Sequence, residues 1–436
     1  MKNSSSVLKK VIAVVVAVII AGVAFAAGYL TRGLLNGGNV NSYKWVMDTI
    51  GKYYMGEFDE DEAKDASLKS IAGLLDPYSE YYTKEEYKQV QDDNSGSKSG
   101  IGITYNFLEG KGALIITVMG NSPAYKSGLR SGDLLTGGSS DGSEVKFNTA
   151  SDFNSFIDGF NTGERFTLKS EENTFELAKE HYTASYTFMA TRNTCWEFTS
   201  SEDGGLGLVP GKDVKSYLPE GTAYLKLTQF YGTAGAEFGK LIEKFNAESC
   251  TSLILDLRNN GGGYVSVMQD IAGYFTSAIS DKKSVAMTAK YKDGRESVDY
   301  CEKHSGNQLV PEGTEIYVLA NSGTASASEA LIGVLVSYGL LKYENIFLSD
   351  FSEEYLKYMG EGAKTKRSYG KGIMQSTFTN FFTGEALKLT TAKIYWPNGK
   401  CIHDVGLTEA DGCRLAPAQW AATKGDEELK YVVSQL

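Results

Sequence analysis

The sequence predicts a multidomain α/β protein that begins with a membrane-spanning helix. At 436 residues the chain is longer than one domain usually is, which indicates two to four folded units. Residues 11–30 form an uncharged and mostly apolar run. Beyond Cys195, patterns of buried strands alternate with patterns of amphipathic helices, which is the order expected for a parallel or mixed sheet covered by helices. The content of 42% hydrophobic and 22% charged residues is that of a globular protein.

The apolar run at residues 11–30 is long enough to cross a bilayer, since 20 residues of helix span about 30 Å. Three lysines precede it and one arginine follows it, so the positive-inside rule predicts a cytoplasmic tail at residues 1–10. We expect a single-pass protein of the cell membrane whose body is extracytoplasmic and whose membrane contact is this helix. A cleaved signal peptide is the alternative, because Ala24-Phe25-Ala26 fits a cleavage site.

The charge and the metal-ligating residues exclude several classes of function. With 43 Lys and Arg against 54 Asp and Glu, the net charge is -11, so we expect no nucleic-acid partner, because phosphate contacts need clustered cations. Five cysteines form no CxxC pair, the three histidines are scattered, and there is no HExxH string. We expect no metal and no cofactor, and the odd number of cysteines leaves their pairing open.

Residues 36–95 are predicted to form a helical arm. Apolar residues recur there at helical spacing, as at Trp45 and Ile50 and again at Ile71 and Leu74. Asp76-Pro77 breaks the pattern, and the tyrosines that follow are suited to packing on a neighbouring unit.

From Gly100 the pattern changes to short apolar runs punctuated by glycine. Strands are predicted at 113–119 and 165–168, and a helix with one apolar face at 151–160. The strings SGIGI and NSPAYKSGLRSGDLL, with the later helix, resemble a PDZ domain over residues 96–185. The resemblance implies a groove in which a free carboxy-terminal peptide adds as a strand, its carboxylate captured by backbone amides of Gly100, Ile101, Gly102 and Ile103. A β-rich unit without a ligand is the alternative.

Residues 190–415 are predicted to form the α/β core, and residues 416–436 a carboxy-terminal tail. The elements expected in the core are strands at 222–230, 253–257 and 315–320 and helices at 234–246, 265–276 and 326–340.

Two strand-to-helix junctions in this core are unusual. LILDLRNNGGGYV at 253–265 and VLANSGTASASEALIGVL at 318–335 place glycines and polar residues at the carboxyl ends of strands, where α/β proteins gather their sites. Successive glycines let backbone amides approach an oxyanion. A helix cap alone also explains Ser326, because Ser326 to Glu329 reads S-x-x-E.

These strings, with the later YGKG at 369–372, resemble the carboxy-terminal processing, or tail-specific, serine proteases over roughly residues 40–415. The resemblance implies a core similar to the ClpP and crotonase fold. It implies Ser326 as nucleophile, Lys371 as general base and Gln375 as the residue that supports the lysine. The oxyanion hole falls on the amide of Ala327 and on Gly262 or Gly263.

The residue types suit this chemistry. A lysine acts as a base only when neutral, so its pKa must fall from about 10.4 by roughly three units, which burial away from carboxylates achieves. A histidine triad is disfavoured, since the one adjacent His-acid pair, His403-Asp404, fits a surface turn. Arg258 beside Asp256 fits a contact with substrate, a contact with another domain or a buried ion pair.

The spacing from Ser326 to Lys371, 371 minus 326 or 45 positions, is longer than is usual in that family. The extra residues lie within about 342–367 and suggest a lid or a degenerate enzyme. We expect a membrane-anchored serine endopeptidase acting on proteins with a free carboxy terminus. An inactive peptide-binding scaffold and a hydrolase of another acyl substrate are the alternatives. A homo-oligomer or an activator protein is left open as a partner.

Overall fold

The computed structural model describes residues 38–140, 142–201, 205–359, 365–418, 420 and 427–436. The chain divides into two compact units, residues 1–75 and residues 76–436. The described part of the first unit holds helices α1 (Gly38–Tyr53) and α2 (Glu60–Gly73). Asp59 begins α2, because its carboxylate accepts the N–H groups of Asp61 and Glu62. The predicted arm therefore extends across the division.

The predicted membrane helix at 11–30 lies outside the described residues. Within the part that the structure describes, no helix is both long and apolar enough to span a membrane.

The second unit is mixed α/β, which confirms the predicted class. Its helices are α3 Lys84–Ser95, α4 Pro123–Lys126, α5 Ala150–Asp158, α6 Ala234–Ala247, α7 Val265–Thr276, α8 Ala327–Ser337, α9 Glu353–Met359 and α10 Glu427–Val433. Its strands up to residue 200 are β1 Glu80–Tyr82, β2 Ser97–Gly100, β3 Ile103–Leu108, β4 Gly112–Val118, β5 Leu134–Leu135, β6 Gly137–Ser140, β7 Ser143–Lys146, β8 Arg165–Lys169, β9 Thr174–Ala178, β10 Glu180–Thr183, β11 Thr187–Ala190 and β12 Cys195–Ser200. The later strands are β13 Leu206–Pro210, β14 Thr222–Leu227, β15 Ser252–Asp256, β16 Val285–Tyr291, β17 Glu296–Tyr300, β18 Glu315–Ala320, β19 Ile346–Leu348, β20 Ile373–Thr379, β21 Ala386–Tyr395 and β22 Arg414–Leu415.

An eight-stranded sheet forms the centre of this unit, in the order β13-β12-β11-β14-β15-β18-β19-β22. From β14 to β22 neighbouring strands are parallel, while β11, β12 and β13 are added antiparallel. The apolar run of β15 is buried because α6, α7 and α8 contribute to the same hydrophobic core as the sheet. Parallel strands bring the carboxyl ends of β15 and β18 to one edge, where both unusual junctions begin.

A second sheet carries the segment that follows Lys371. It has the order β1-β21-β16-β17, and β20 pairs with the opposite edge of β21 as a hairpin. β1 pairs with β21 from Glu80 opposite Lys388 to Tyr82 opposite Ala386. The residues that precede β1 are thereby held near the hairpin.

Residues 96–185 form a β-rich subdomain. It contains the sheets β3-β4-β5 and β7-β6-β8-β9 and the pair β10-β2. Helix α5 begins at a capping box of Thr149 and Asp152 and buries Phe153 in the subdomain's own core. Among the described strands, β3 pairs only with β4, so its other edge is open.

Two predicted elements end three residues earlier in the structure than the sequence suggested. The strand expected at 222–230 ends at Leu227, because Phe230 leaves the sheet and its N–H donates to the carbonyl of Gly262. The helix expected at 326–340 ends at Ser337, since Gly339 adopts a positive φ of 71°.

Residues 416–436, predicted as a tail, contain the packed helix α10, whose Leu429 and Val432 are fully buried. Glu428 of this helix accepts Nη1 of Arg258 at 2.6 Å, and Asp256 accepts Nη2 of Arg258 at 2.7 Å. All three side chains are buried. Arg258 is therefore part of a buried ion-pair network, which is one of the roles that its sequence context allowed.

The region 342–367, suggested as a lid, contributes β19 to the central sheet and then α9. Phe351 and Tyr355 of this region pack with Leu108 and Leu114 of the β-rich subdomain. Lys111 adds an ion pair to Glu354 at 3.1 Å. Phe351 and helix α9 thus pack on the β3-β4 hairpin.

Candidate active site

The two junction loops are locked together by buried amides and hydroxyls. Asn321 Oδ1 accepts the N–H of Asn259 at 2.9 Å, and Asn321 Nδ2 donates to Asn259 Oδ1 at 2.9 Å. The carbonyl oxygen of Asn260 accepts the Ala325 N–H at 3.0 Å and the Ser328 hydroxyl at 2.9 Å. Because Asn260, Asn321 and Ser328 are buried and Asn259 is half-buried, their mutual hydrogen bonds fix the loops relative to each other.

Ser326 lies at the start of α8 in a strained backbone conformation, with φ 58° and ψ -115°. A residue other than glycine pays for such a conformation, and strain of this kind is concentrated at functional sites. The glycine loop contacts this turn directly. A Cβ added to Gly262 would lie 2.9 Å from the Ala325 oxygen, the Ala327 nitrogen and Ser326 Cβ. Only glycine permits this approach.

Glu329, one turn into α8, joins the serine segment to the lysine segment. Its Oε2 accepts the N–H groups of Ser326 at 3.0 Å and Lys371 at 2.9 Å. Its Oε1 accepts the Ser368 hydroxyl at 2.5 Å and the Gly370 N–H at 2.8 Å. The side chain is fully buried, and burial raises the pKa of its carboxyl group against the effect of these hydrogen bonds.

The Lys371 side chain is half-buried, and burial lowers the pKa of its amine. The nearby cation Lys388 lowers that pKa further, while Asp76 and Glu329 raise it less. Lys371 Nζ also lies 4.5 Å from the ring centroid of Tyr78. The surroundings therefore favour the neutral amine more than water does.

Ser326 and Lys371 line one cavity of about 470 Å³. Ala327 and Gly263 line it as well, whereas the N–H of Gly262 is held by Asn260 Oδ1 at 2.9 Å. Other parts of its wall are apolar, and they include Val265, Met268, Met287, Ala330, Ile373 and Ile394. Among the described residues, the lining includes none from 342–367.

Gln375 lines the same cavity. The sequence suggested that its side chain supports Lys371, but in the structure its amide nitrogen bonds to Thr390. Its Nε2 donates to Thr390 Oγ1 at 3.1 Å. A β-bulge between Met374 and Gln375 shifts the pairing of β20 with β21 and sets Gln375 opposite Thr390. Thr390 Oγ1 in turn lies 3.3 Å from Asp76 Oδ1.

A second cavity, of about 380 Å³, lies between the open edge of β3 and α5. Ile101, Gly102 and Ile103 line it from one side, and Phe153 and Ile157 from the other. Gly100 and Gly102 have φ values of 124° and 81°, a region open to glycine. The carbonyl of Ile101 accepts the Ala124 N–H at 3.0 Å.

Within the described ranges, no cluster of three His, Cys, Asp or Glu side chains could hold a metal ion. His403 lies 3.5 Å from Asp404, whose side chain is 86% exposed.

Four residues that contribute to the site were not identified from the sequence. Asn260 and Asn321 sit in the glycine-rich junctions, and Glu329 was read only as a helix cap. Tyr78, in the DPYS string, carries no local signal that connects it to a lysine 293 positions later.

Comparison with known proteins gives one family match. Residues 221–342 match the model of peptidase family S41. This stretch includes the glycine loop, Ser326 and Glu329, and it ends before Lys371.

Two relatives and one solved structure extend the similarity. A "Probable CtpA-like serine protease" of Staphylococcus aureus (strain COL) is 26% identical over 375 residues, which are 85% of this chain and 64% of the relative. The "C-terminal processing peptidase, chloroplastic" of Tetradesmus obliquus is 26% identical over 79% of this chain and 66% of its own length. The chain thus spans just under two thirds of these relatives. A candidate S41 protease of Bacteroides fragilis NCTC 9343 has the same fold, with a TM-score of 0.52 and 15% identity, over 88% of this chain and 92% of that one.

Proposed function

We propose that the chain, which is similar to C-terminal processing proteases and matches the model of peptidase family S41 over residues 221–342, is a serine endopeptidase with Ser326 as nucleophile and Lys371 as general base. The observation that carries this proposal is the shared position of the two residues. They line one cavity, and the buried Glu329 carboxylate binds the backbone N–H of each. The lowered pKa of Lys371 supports the role of base.

The reaction is acyl transfer in two steps. Lys371 Nζ accepts the proton of Ser326 Oγ while that oxygen bonds to the substrate carbonyl carbon, and the carbonyl electron pair moves onto oxygen. The C–N bond then breaks, and the Lys371 ammonium gives the proton to the leaving amine. Water attacks the acyl-enzyme in the same way, with Lys371 again taking the proton, and Ser326 is regenerated.

For the oxyanion hole we assign the N–H groups of Ala327 and Gly263. Ala327 is the first residue of α8, where N–H groups lack helical partners and the helix dipole favours negative charge. Gly263 is favoured over Gly262 because the Gly262 N–H is already bonded to Asn260. The apolar wall of the cavity fits an apolar substrate side chain beside the scissile bond.

We assign the cavity between β3 and α5 to the carboxy terminus of the substrate, bound as in a PDZ domain. The open edge of β3 can pair with an added strand, and the apolar lining suits an apolar last residue. We further propose that residues 11–30 hold the protein in the cell membrane with this body outside the cytoplasm. The support for that location is the apolar run and the flanking charges.

The test is cleavage of a loosely folded protein with an apolar free carboxy terminus by the full-length protein in mild detergent. Ser326→Ala and Lys371→Ala should each lower kcat/KM by a factor of about 10⁴ or more. Lys393→Ala is the matched control, because Lys393 is an exposed lysine on β21 of the same sheet. We expect it to retain activity within about twofold.

Cleavage that survives in both Ser326→Ala and Lys371→Ala would contradict the assignment. Absence of cleavage by the unmodified protein, together with binding of a peptide that has a free carboxylate, would favour the non-catalytic scaffold.

A further inference from the structure

The DPYS string, which breaks the helical pattern at residues 76–79, lies against the lysine segment. The ring of Tyr78 faces Lys371 Nζ at 4.5 Å, and its hydroxyl donates to the Tyr369 hydroxyl at 2.9 Å. Tyr369 precedes Lys371 by two residues, and its N–H donates to Thr324 in the serine loop at 2.9 Å. The ring is thus tied to the same backbone that carries both reacting side chains.

The backbone of Tyr78 is fixed by the carboxylate of Asp76. Asp76 Oδ1 accepts the N–H groups of Tyr78 and Ser79, each at 2.8 Å. The hydroxyls of Ser79 and Thr390 also approach this carboxylate, at 3.0 and 3.3 Å. The Asp76 carboxylate is therefore engaged by groups of the loop and by Thr390, although it lies only two residues before Tyr78.

Gln375 completes this arrangement. Its Nε2 donates to Thr390 Oγ1, which contacts Asp76, which fixes the N–H of Tyr78. Gln375 is thus connected to Lys371 only indirectly, through Thr390, Asp76 and the ring of Tyr78.

We propose that Tyr78 is a positioning residue for Lys371. The face of the Tyr78 ring takes the place of water and of a carboxylate counter-ion beside the Lys371 amine. This inference rests on the proposed role of Lys371 as base. A general base must be neutral before the reaction and cationic after it takes the proton. A carboxylate stabilises the cation so strongly that the lysine would remain protonated. An aromatic face stabilises a cation weakly, so it permits the neutral form and still supports the ammonium.

Every charged or titratable group around the amine is consistent with that role. Lys388 from β21 disfavours the ammonium, whereas Asp76 and Glu329 favour it from a distance while their oxygens are engaged by other donors. Beyond the ring, Tyr369 bonds to the hydroxyl of Tyr78, and Asp404 acts on Tyr78 through its charge.

The experiment measures the pKa of Lys371 directly, without relying on activity. Full-length protein is acetylated with trace acetic anhydride across a pH series, and mass spectrometry quantifies the modification of Lys371. Tyr78→Leu keeps an apolar side chain and removes the ring face, so the pKa of Lys371 should fall by about half a unit. Tyr78→Phe keeps the ring and should leave the value close to that of the unmodified protein.

Tyr81→Leu is the control for packing, since Tyr81 is buried in β1 of the same segment but does not line the catalytic cavity. It should leave the pKa of Lys371 unchanged. An unchanged or raised pKa in Tyr78→Leu would overturn the proposal. If Tyr78→Leu does not fold, Tyr78→Met provides the same test with a more adaptable apolar side chain.

The outcome is separable from the proposed protease activity. The titration is expected to give the same shift in a Ser326→Ala background, where cleavage is absent. Loss of the shift with normal cleavage would reject only the role of Tyr78. A normal shift without any cleavage by Ser326-containing protein would reject only the protease.

Discussion

At the scale of single residues, Glu329 is the link that makes a site of two distant segments. Its four hydrogen bonds join Ser326 to Ser368, Gly370 and Lys371. The strings around Ser326 and Lys371 were recognisable in the sequence because glycines and small residues surround them. The partners of Glu329 were not, since S-x-x-E predicts only a local cap and says nothing about a loop 40 residues away.

Lys388 offers a test of how the surroundings tune Lys371. Burial and the Lys388 cation both lower the pKa of the Lys371 amine, so Lys388→Met should raise it. Because the neutral amine is the active form, kcat/KM rises with pH through this pKa, and a raised pKa moves the acidic limb to higher pH. Activity at pH 7 should fall by about threefold to tenfold, since each unit is a factor of ten.

The measurement is a pH profile of kcat/KM for both proteins. Lys393→Met removes a charge from the same strand at an exposed position and should leave the profile in place. A shift of the Lys388→Met limb to lower pH would show that the sign of this interaction is wrong.

At the scale of elements, the glycine loop and the start of α8 act as one unit. The sequence predicted both junctions, because strands ending in glycine and polar residues are distinctive. It did not distinguish Gly262 from Gly263 as an oxyanion donor. That distinction depends on the side chain of Asn260, which folds back to accept the Gly262 N–H.

Gly262→Ala and Gly261→Ala form a matched pair in this loop. The added methyl group at 262 meets Ser326 Cβ and two backbone atoms at 2.9 Å and requires a positive φ of 99°. At 261 it meets nothing within 4 Å. We expect Gly262→Ala to lower kcat/KM by about a hundredfold or more through displacement of Ser326, and Gly261→Ala to lower it far less.

Steady-state kinetics of the pair, with thermal unfolding to confirm that both variants fold, gives the answer. Equal activity in the two variants would mean that the contact between the glycine loop and Ser326 does not align the nucleophile.

The β20-β21 hairpin shows why side-chain partners are harder to predict than elements. The position of Gln375, four residues after Lys371, suggested a direct contact with the amine. A bulge at Met374 and Gln375 changes the register and pairs Gln375 with Thr390. Such bulges have no strong sequence signal, so the hydrogen bond of Gln375 to Thr390 could not be predicted.

At the scale of the whole second unit, α10 and the residues 342–367 connect distant parts of the fold. The Arg258 guanidinium binds Asp256 and Glu428, so α10 is fixed to the carboxyl end of β15. Burial alone would raise the pKa of Asp256, but the charges of Arg258 and Lys226 hold it well below its usual range. The ionised Asp256 therefore stabilises the unit at pH values above its unfolded pKa, and this contribution is lost as the pH falls toward its folded pKa, whereas burial raises the pKa of Glu428 in the same network.

The role of the extra residues between Ser326 and Lys371 also emerges only at this scale. The long spacing between these two residues suggested a lid or a degenerate enzyme, because a local pattern cannot show which surface an inserted segment packs on. In the structure Phe351 and Tyr355 are buried on the β3-β4 hairpin, which links the catalytic core to the β-rich subdomain. Long-range packing of this kind is what the sequence alone could not supply.

The most direct test of the central claim is covalent labelling of the full-length protein with a fluorophosphonate, which reacts with activated serine hydroxyl groups. The account predicts that mass spectrometry finds the label on Ser326 and that the labelling rate rises with pH through the pKa of Lys371. It also predicts that Lys371→Ala abolishes labelling while Lys393→Ala preserves it. Labelling at Ser326 that is unaffected by Lys371→Ala, or labelling of another serine alone, would contradict the account.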